Sequence, residues 1–405
     1  MKRPSCNKLM LWGLLFAALV GLTVCFLNRQ YSLASVISSI KTADPLWLIP
    51  GVLAMGLFFV CEGVNIGNCL RLAGHDVSLP SEIRYSMTGF FFSSITPSAS
   101  GGQPMQLYFM RMDGLPVSHS SLALITELTS FQAAAAALAL AGLGARCSRV
   151  LGASTAAGTG GAALTGISDG IGGASLAGIS DGTGGAALAG IPDGAASAGG
   201  GIAASVFAAG ILINAAVLAI LLFLIFSPAS IKIIVSPVLW AVDRFNPQKA
   251  SVFRIKILRG VCEYRRASQY ITKNPRAIAR IFLTSVIQLL AYFSITFCVL
   301  QSLGITGISW GEATLSQAAL YVAVSALPLP GAVGVTEGGF ALLFASLVPS
   351  DLMGVAIILS RFVSFGLPLI VSGMGTFLMG TGRDGRRQVA RRRKDDNLPH
   401  GVSSC

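Results

Sequence analysis

The sequence predicts an all-α polytopic membrane protein with about six full transmembrane helices and two broken, re-entrant segments in an inverted arrangement. Three observations predict this fold class. The 405 residues are 53% hydrophobic and only 11% charged, whereas soluble proteins carry about 25% charged residues. Several apolar runs reach the roughly 20 residues that cross a bilayer. Two further apolar runs are interrupted by proline and glycine.

Six apolar runs are predicted to cross the membrane as continuous helices. They are Leu9–Leu27, Leu46–Ile66, Leu122–Leu143, Ser205–Phe226, Ile281–Leu303 and Leu352–Met379. The first run follows the basic start MKRPSCNK, so a cleaved signal peptide is its alternative. This run is longer than the usual apolar core of a signal peptide, and no small-residue cleavage site follows it. We therefore expect an uncleaved first span.

The two broken segments are Tyr85–Phe109, interrupted at TPSASGGQP, and Leu315–Leu347, interrupted at LPLPGAVGVTEGGF. A break in a helix frees backbone N–H and C=O groups, which the membrane tolerates only where protein or a water-filled cavity satisfies them. We therefore expect both segments to line a polar cleft rather than to face lipid.

The distribution of basic residues sets the predicted orientation. Basic residues occur at the N-terminus, eleven times from Lys232 to Arg280, and seven times in the tail GRDGRRQVARRRK, but not at all from Ile281 to Ser360. Because cytoplasmic loops are rich in lysine and arginine, we expect a plasma-membrane protein with both termini in the cytoplasm. The first broken segment then enters from the cytoplasm and the second from outside, as in transporters with inverted repeats.

The predicted organisation has six parts. They are an N-terminal membrane half (1–144, with the re-entrant segment 85–109), an external Gly/Ala/Ser-rich loop (145–204), a transmembrane helix (205–227), a basic cytoplasmic surface segment (228–280), a C-terminal membrane half (281–380, with the re-entrant segment 315–347) and a basic cytoplasmic tail (381–405). The surface segment either sets topology or binds anionic headgroups.

The external loop contains a twelve-residue repeat from Ala162 to Ser197, beginning AALTGISDGIGG. Its composition is typical of a flexible, disordered linker. A calcium-binding β-roll is the alternative, and the period argues against it because β-roll repeats are nonapeptides.

Several classes of function are disfavoured by composition. The formal charge of +12 would suggest nucleic acid in a soluble protein, but here the basic residues lie between apolar spans. The eight cysteines form no CxxC motif and the three histidines are far apart in sequence, so we expect no disulfide framework, metal or cofactor. Without a GxSxG, HExxH or P-loop motif, no soluble catalytic domain and no catalytic residue are assigned.

Ionisable residues within the spans are candidate functional groups, because unpaired charge in hydrocarbon is costly. Arg361 lies about nine residues, or roughly 14 Å, into the last span, and Glu337 is the nearest candidate partner in sequence. Glu127 lies roughly 8 Å into its span and is a candidate proton or charge partner. Glu62 lies nearer the cytoplasmic end of its helix and is less informative.

Two interpretations of the arginine remain open. Arg361 and Glu337 either form a structural pair that joins two helices, or present a cation to a lipid phosphate. Half-helix N-termini suit anionic groups, and glycine allows close backbone approach. The candidate substrate-binding residues are Thr96, Ser100, Gly101, Gly102, Gln103, Gly331, Gly334, Glu337 and Arg361. For Gly334 and Gly338, the GxxxG spacing also fits tight helix packing.

Three stretches together resemble the lysylphosphatidylglycerol synthase transmembrane family, also called flippase-like proteins. They are ITPSASGGQPMQLYFMRMDGL (Ile95–Leu115), PLPGAVGVTEGGFALLF (Pro328–Phe344) and LSRFVSFGLPLIVSG (Leu359–Gly373). The resemblance covers most of residues 9 to 380 apart from the repeat. The residues that match its characteristic positions are Gly101, Gly102, Gln103, Pro104, Gly331, Gly334, Glu337 and Arg361.

The resemblance implies a membrane domain that moves aminoacylated phosphatidylglycerol to the outer leaflet, without the cytoplasmic domain that transfers lysine from lysyl-tRNA. The leading hypothesis is therefore a flippase for an anionic or aminoacylated phospholipid. The alternatives are a membrane component of phosphatidylglycerol lysyltransferase or another lipid-modifying transferase, acting with a separately encoded synthase, and a structural or regulatory membrane protein. The translocator hypothesis predicts a cleft lined by both broken segments.

Overall fold

The computed structural model describes residues 43–96, 99–156, 193–227, 236, 261–265, 268–269, 273–325, 335–345 and 347–380. Within these residues the regular structure is helical throughout. The helices are α1 (Pro45–Leu72), α2 (Leu79–Ile95), α3 (Gly102–Met112), α4 (Val117–Ala156), α5 (Asp193–Phe226), α6 (Pro275–Ser302), α7 (Trp310–Ser325), α8 (Val335–Phe344), α9 (Ser350–Arg361) and α10 (Leu367–Gly380), with a π-helical segment at Phe362–Gly366 between the last two.

Four stretches of helix in the described part of the chain are long and apolar enough to cross a membrane. They are Pro45–Leu72, Val117–Gly142, Pro275–Ser302 and Ser350–Thr376. These coincide with four of the six predicted spans, which confirms the all-helical membrane architecture. The predicted span Ser205–Phe226 lies within α5, whose apolar part, Gly210–Phe226, is shorter, and the predicted span Leu9–Leu27 lies outside the described residues.

Helix occupies both ends of the segment that the sequence predicted to be an external loop. Helix α4 continues to Ala156 and α5 begins at Asp193, so both ends of the segment 145–204 are helical. A helix that has already formed gains one hydrogen bond for each residue added, and alanine is the best helix former. The segment 157–192, with most of the twelve-residue repeat, lies outside the described residues, as do most of 228–280 and the tail 381–405.

The boundaries of α1 follow from local chemistry. Leu46 N–H donates to Asp44 Oδ1 at 2.9 Å, and Pro45 occupies the first helical position, where its missing N–H costs nothing. At the other end Gly74 has φ +82°. Gly74 N–H donates to Arg71 C=O at 2.9 Å, and His75 N–H donates to Leu70 C=O at 2.9 Å. These bonds satisfy the last carbonyls of the helix.

The same succession of helices occurs twice in the chain. Helices α1, α2 and α3 have 28, 17 and 11 residues, and α6, α7 and α8 have 28, 16 and 10 residues. Each set is followed by a long span. The cap of α1 also recurs at the end of α6: Gly304 has φ +77°, its N–H donates to Gln301 C=O, and Ile305 N–H donates to Leu300 C=O, both at 3.0 Å.

The chain divides into two compact units. Unit 1 contains Met1–Phe58, Phe131–Ala219 and Val286–Pro368, and unit 2 contains Phe59–Ser130, Ile220–Ser285 and Leu369–Cys405. The core of unit 1 is built on buried residues that include Leu300, Leu320, Phe340, Phe344 and Ile357. The core of unit 2 is built on buried residues that include Ile66, Leu70, Tyr85, Met110 and Ile281.

Glycine allows close helix contacts within each unit. In unit 1, a Cβ added to Gly210 of α5 would overlap the carbonyl oxygen of Ala323 on α7. In unit 2, a Cβ added to Gly63 of α1 would lie 2.9 Å from the carbonyl carbon of Glu82 on α2. Small residues of this kind let helix backbones approach in membranes, where van der Waals packing drives helix association.

Candidate functional site

Unit 1 contains an arginine–glutamate pair next to the second helix break. Arg361 Nε donates to Glu337 Oε1 at 2.8 Å, so Arg361 has the partner that the sequence suggested. Glu337 lies in the first turn of α8, where the positive end of the helix dipole favours an acidic side chain. The Glu337 side chain is 3% exposed and that of Arg361 is 21% exposed. The arginine is therefore the more accessible member of the pair.

The π-helical segment begins directly after Arg361. Pro368 has no N–H, so it cannot donate to the carbonyl of Ser364, four residues earlier. A π turn accommodates a missing hydrogen bond of this kind within a continuous helix, and π turns are frequent at functional sites. The guanidinium of Arg361 also lies 5.8 Å from the centre of the Phe365 ring, which is within cation–π range.

A cavity of about 30 Å³ adjoins this pair. Since a water molecule needs roughly 10–15 Å³ on this measure, the cavity can take water or an oxygen-bearing group of a ligand. The Oε1 atom of Gln317 is buried and has no hydrogen-bond partner among the described residues. The lining residues are Tyr292, Gln317, Thr336, Glu337, Phe340, Ile357, Ser360, Arg361 and Ser364. A partly exposed guanidinium among hydroxyl and amide groups suits a phosphate or carboxylate ligand.

Unit 2 contains a polar network centred on Glu62 of α1. Ser86 Oγ on α2 donates to Glu62 Oε2 at 2.9 Å, and Gln106 Nε2 on α3 donates to Glu62 Oε1 at 3.3 Å. Gln106 Nε2 also donates to the carbonyl of Tyr85 at 3.1 Å. Glu127 on α4 is close enough for its charge to interact with that of Glu62. The network therefore joins the first broken helix pair to the span before it.

Further charged groups of unit 2 are paired with one another. Asp113 accepts from both the guanidinium of Arg84 and the hydroxyl of Tyr85. Arg71 Nη1 lies 2.6 Å from Glu82 Oε1. These partners lie on α1 and α2 and in the turn after α3, so they fix the ends of the broken pair.

The predicted residues of the first break surround the connection from α2 to α3. Gly101 N–H donates to Thr96 Oγ1 at 2.8 Å, and the Thr96 hydroxyl donates to Phe92 C=O at 2.7 Å. Thr96 therefore caps this turn. Gly102 is buried, and a Cβ there would lie 2.8 Å from Gly89 C=O, so this glycine allows α2 and α3 to pack together. Its neighbour Gln103 is partly exposed and Ser100 is exposed.

The two breaks belong to different units. The residues from Thr96 to Gln103 are in unit 2, whereas Glu337 and Arg361 are in unit 1. Gly331 and Gly334 lie outside the described residues. Gly338 is exposed, and among the described residues a Cβ there would meet no atom within 4 Å. The described part of the chain therefore gives no support to tight packing at Gly338.

The sequence alone gave too little weight to Glu62 and overlooked Gln106. Glu62, Asn65 and Cys69 recur at helical spacing along one face of α1, and that spacing was the available signal. His75 and His119 are far apart in sequence, yet His75 Nε2 and His119 Nδ1 lie 2.8 Å apart. Among the described residues, no group of three or more His, Cys, Asp or Glu side chains could hold a metal ion.

Two comparisons with known proteins agree with these features. The family described as lysylphosphatidylglycerol synthase TM region matches residues 10–179 and 182–372. A UPF0104 membrane protein from Archaeoglobus fulgidus is 23% identical over 357 residues, which cover 86% of this chain and 91% of that protein. Since the family match extends over nearly the whole chain, the protein belongs to the lysylphosphatidylglycerol synthase TM region family.

Proposed function

We propose that the protein moves an anionic or aminoacylated phospholipid of the lysylphosphatidylglycerol type between the leaflets of the plasma membrane. The observation that carries this proposal is the partly exposed Arg361 beside a cavity, about eleven residues or roughly 16 Å into its span. A cation at this depth is costly unless protein or ligand groups stabilise it. A lipid phosphate that crosses the middle of the membrane is an anion in the same apolar surroundings, so it and Arg361 stabilise one another.

The proposed path uses the chemistry of each break separately. In unit 1, Arg361 and the hydroxyl and amide groups of the cavity bind the phosphate, and Glu337 orients the guanidinium. In unit 2, Thr96, Ser100, Gly101, Gly102 and Gln103 provide backbone and side-chain hydrogen-bonding groups at the start of α3. Gly331 and Gly334 have the corresponding role in the second break.

The proposed topology has six full spans, two re-entrant segments and both termini in the cytoplasm. The pairing of a longer helix with a shorter one in each break supports it, because α3 and α8 are only about 16 and 15 Å long. Helix α2 also packs against α3, and α7 packs against α8. Each pair can therefore enter and leave on the same side of the membrane.

Cysteine labelling in cells tests this topology. Single cysteines at Asp76 and Met112 flank the first break, and those at Thr306 and Asp351 flank the second, in a chain whose native cysteines are replaced by serine. We expect an impermeant reagent to reach Thr306→Cys and Asp351→Cys from outside, but the other two only from the cytoplasm. Labelling from opposite sides within one pair would contradict a re-entrant segment.

Lipid movement in proteoliposomes tests the function. The purified protein is reconstituted with fluorescent phosphatidylglycerol, and an impermeant reductant reports the label that reaches the outer leaflet. We expect Arg361→Gln to slow this movement roughly 10- to 100-fold, because a hydrogen bond to a charged group contributes about 1.5–3 kcal/mol. Arg280→Gln, the same change at an exposed arginine of α6, is the matched control and retains the wild-type rate.

Two outcomes would count against the proposal. One is movement no faster than in empty vesicles for every anionic or aminoacylated lipid supplied to the wild type. The other is an Arg361→Gln protein that elutes as a folded species and moves lipid at the wild-type rate. The second result would favour the structural interpretation of the Arg361–Glu337 pair.

A further inference from the structure

Unit 2 holds two carboxylates on membrane-spanning helices, Glu62 on α1 and Glu127 on α4. Glu62 is partly exposed and accepts hydrogen bonds from Ser86 and Gln106. Glu127 is 8% exposed and its charge interacts with that of Glu62. Within the described part of the chain, no residue donates a hydrogen bond to Glu127 or forms an ion pair with it.

A hydrogen-bonded bridge fixes the two helices that carry these acids. Asn65 Nδ2 donates to Ser285 Oγ at 3.0 Å, and Ser285 Oγ lies 2.9 Å from Ser130 Oγ. Asn65 is three residues after Glu62, and Ser130 is three residues after Glu127, so each lies one turn along the same helical face. The bridge therefore places the two carboxylates on facing sides of α1 and α4.

The bridge also leaves one buried acceptor free. Asn65 is fully buried, and its Oδ1 has no partner in the parts of the chain that the structure describes. Buried polar atoms are normally satisfied by protein or by ordered water. An acceptor one turn from Glu62 suits a proton-bearing group, such as a protonated carboxyl or water.

The cations of unit 2 described around this network are already paired. Arg84 bonds Asp113, and Arg71 bonds Glu82. Two ionised carboxylates close together in a membrane protein repel one another and lose hydration, so holding one proton between them is favoured. Because Ser86 and Gln106 both donate to Glu62, these hydrogen bonds stabilise the ionised form of Glu62 more than that of Glu127.

The repeated helices give a second reason to regard this place as a ligand site. Glu62 lies twelve residues before the capping Gly74, as Tyr292 lies twelve residues before Gly304. Ser78 and Ser309 directly precede α2 and α7, and Ser86 and Gln317 each follow eight residues later. Pro116 and Pro349 directly precede α4 and α9, and Glu127 and Ser360 each follow eleven residues later. All three counterparts line the cavity beside Arg361. Glu62 and Glu127 of the first repeat therefore correspond to cavity-lining residues of the second repeat, Tyr292 and Ser360.

We propose that Glu62 and Glu127 form a proton-binding site that couples proton movement to lipid translocation. One proton binds to the Glu127 carboxylate from water on one side of the membrane and leaves to water on the other side. The coupling rests on the proposed function, whereas the proton site itself does not. The other titratable or charged groups on the elements packed here include Cys61, Cys69, Arg71, Glu82, Arg84, Tyr85, Tyr108, Arg111, Asp113, His119, Arg276 and Arg280.

A pH gradient across the proteoliposome membrane tests the coupling. For one proton per lipid, a gradient of about one pH unit drives up to about tenfold asymmetry of labelled lipid between leaflets. We expect wild type to build such asymmetry and Glu127→Gln to show none, because the amide imitates the protonated acid but cannot release a proton. Glu312→Gln, at a partly exposed carboxylate of α7, is the matched control and behaves as wild type.

Infrared difference spectroscopy tests the proton site without transport. Between mildly acidic and alkaline buffer, we expect wild type to show a carboxylic-acid C=O band that Glu127→Gln lacks and Glu312→Gln keeps. Absence of this band from wild type would overturn the proton site even if lipid moves. With the band present, lipid movement that ignores the pH gradient, or follows a sodium gradient instead, would overturn the coupling. If the wild type shows the band but moves no lipid, the proposed function is wrong and the proton site is still supported.

Discussion

The Arg361–Glu337 pair gives a quantitative prediction about stability. Glu337 is almost fully buried, and its Oε1 lies 2.8 Å from Arg361 Nε. With charge centres about 4 Å apart and an effective dielectric constant of about 20, the attraction is about 4 kcal/mol. Removing one partner of such a buried pair costs about 3–5 kcal/mol, because the other charge stays buried. We therefore expect Arg361→Gln, which leaves the buried Glu337 unpaired, to lose about 3–5 kcal/mol of unfolding free energy. Glu337→Gln should lose less, because the remaining Arg361 is partly exposed.

The double variant distinguishes a paired charge from two independent side chains. Replacing both members leaves two neutral amides, so neither charge stays buried without its partner. We expect the double variant to lie within about 1 kcal/mol of wild type. The assay is the thermal unfolding midpoint in detergent, where the single variants fall by up to roughly 10 °C. A double variant that loses the sum of both single losses would refute the pairing.

Three further substitutions test the helix contacts and the first break. Gly210→Ala should destabilise the protein by about 1–3 kcal/mol, because the added methyl overlaps a backbone carbonyl. Gly56→Ala, with no described atom within 4 Å of its Cβ, should stabilise the protein slightly. The thermal unfolding midpoints of the two variants test this difference. Thr96→Val should cost about 0.5–1.5 kcal/mol because Gly101 N–H loses its acceptor, and Thr96→Ser should restore it; equal midpoints for the two variants would contradict the cap. Gly338→Ala should leave both stability and lipid movement near wild type, and a large loss of either would revive tight packing at that glycine.

The sequence predicted the elements that depend on local chemistry. Length and apolarity mark the spans, because a membrane-crossing helix needs a minimum run of apolar residues. Proline and glycine mark the interruptions, because they remove backbone hydrogen bonds or weaken helices. The partner of Arg361 was also accessible, since few ionisable residues lie in this part of the chain.

The remaining features depend on which helices are neighbours. Glu62 and Gln106 are 44 residues apart, as are His75 and His119, and no local pattern joins either pair. The network around Glu62 exists because glycines on α1 and α3 let α2 pack closely, which is a tertiary property. The extension of α4 to Ala156 was missed because a composition rich in small residues was taken to indicate a loop, although alanine also favours helix.

The π segment has a consequence for tolerance to insertion and deletion. One π turn holds one more residue than an α turn, so removing Val363 would restore continuous α-helix from Ser350 onwards. Residues after the π turn would keep their orientation relative to Arg361, because the π turn already accommodates the extra residue. Within unit 2, Thr376 would stay beside Thr88, whose hydroxyl lies 3.5 Å from its own, and Gly373 would stay against the ring of Phe91. A second deletion would instead rotate every later residue by about 100°, so the helix can lose one residue at this position, and only one, without losing its neighbours.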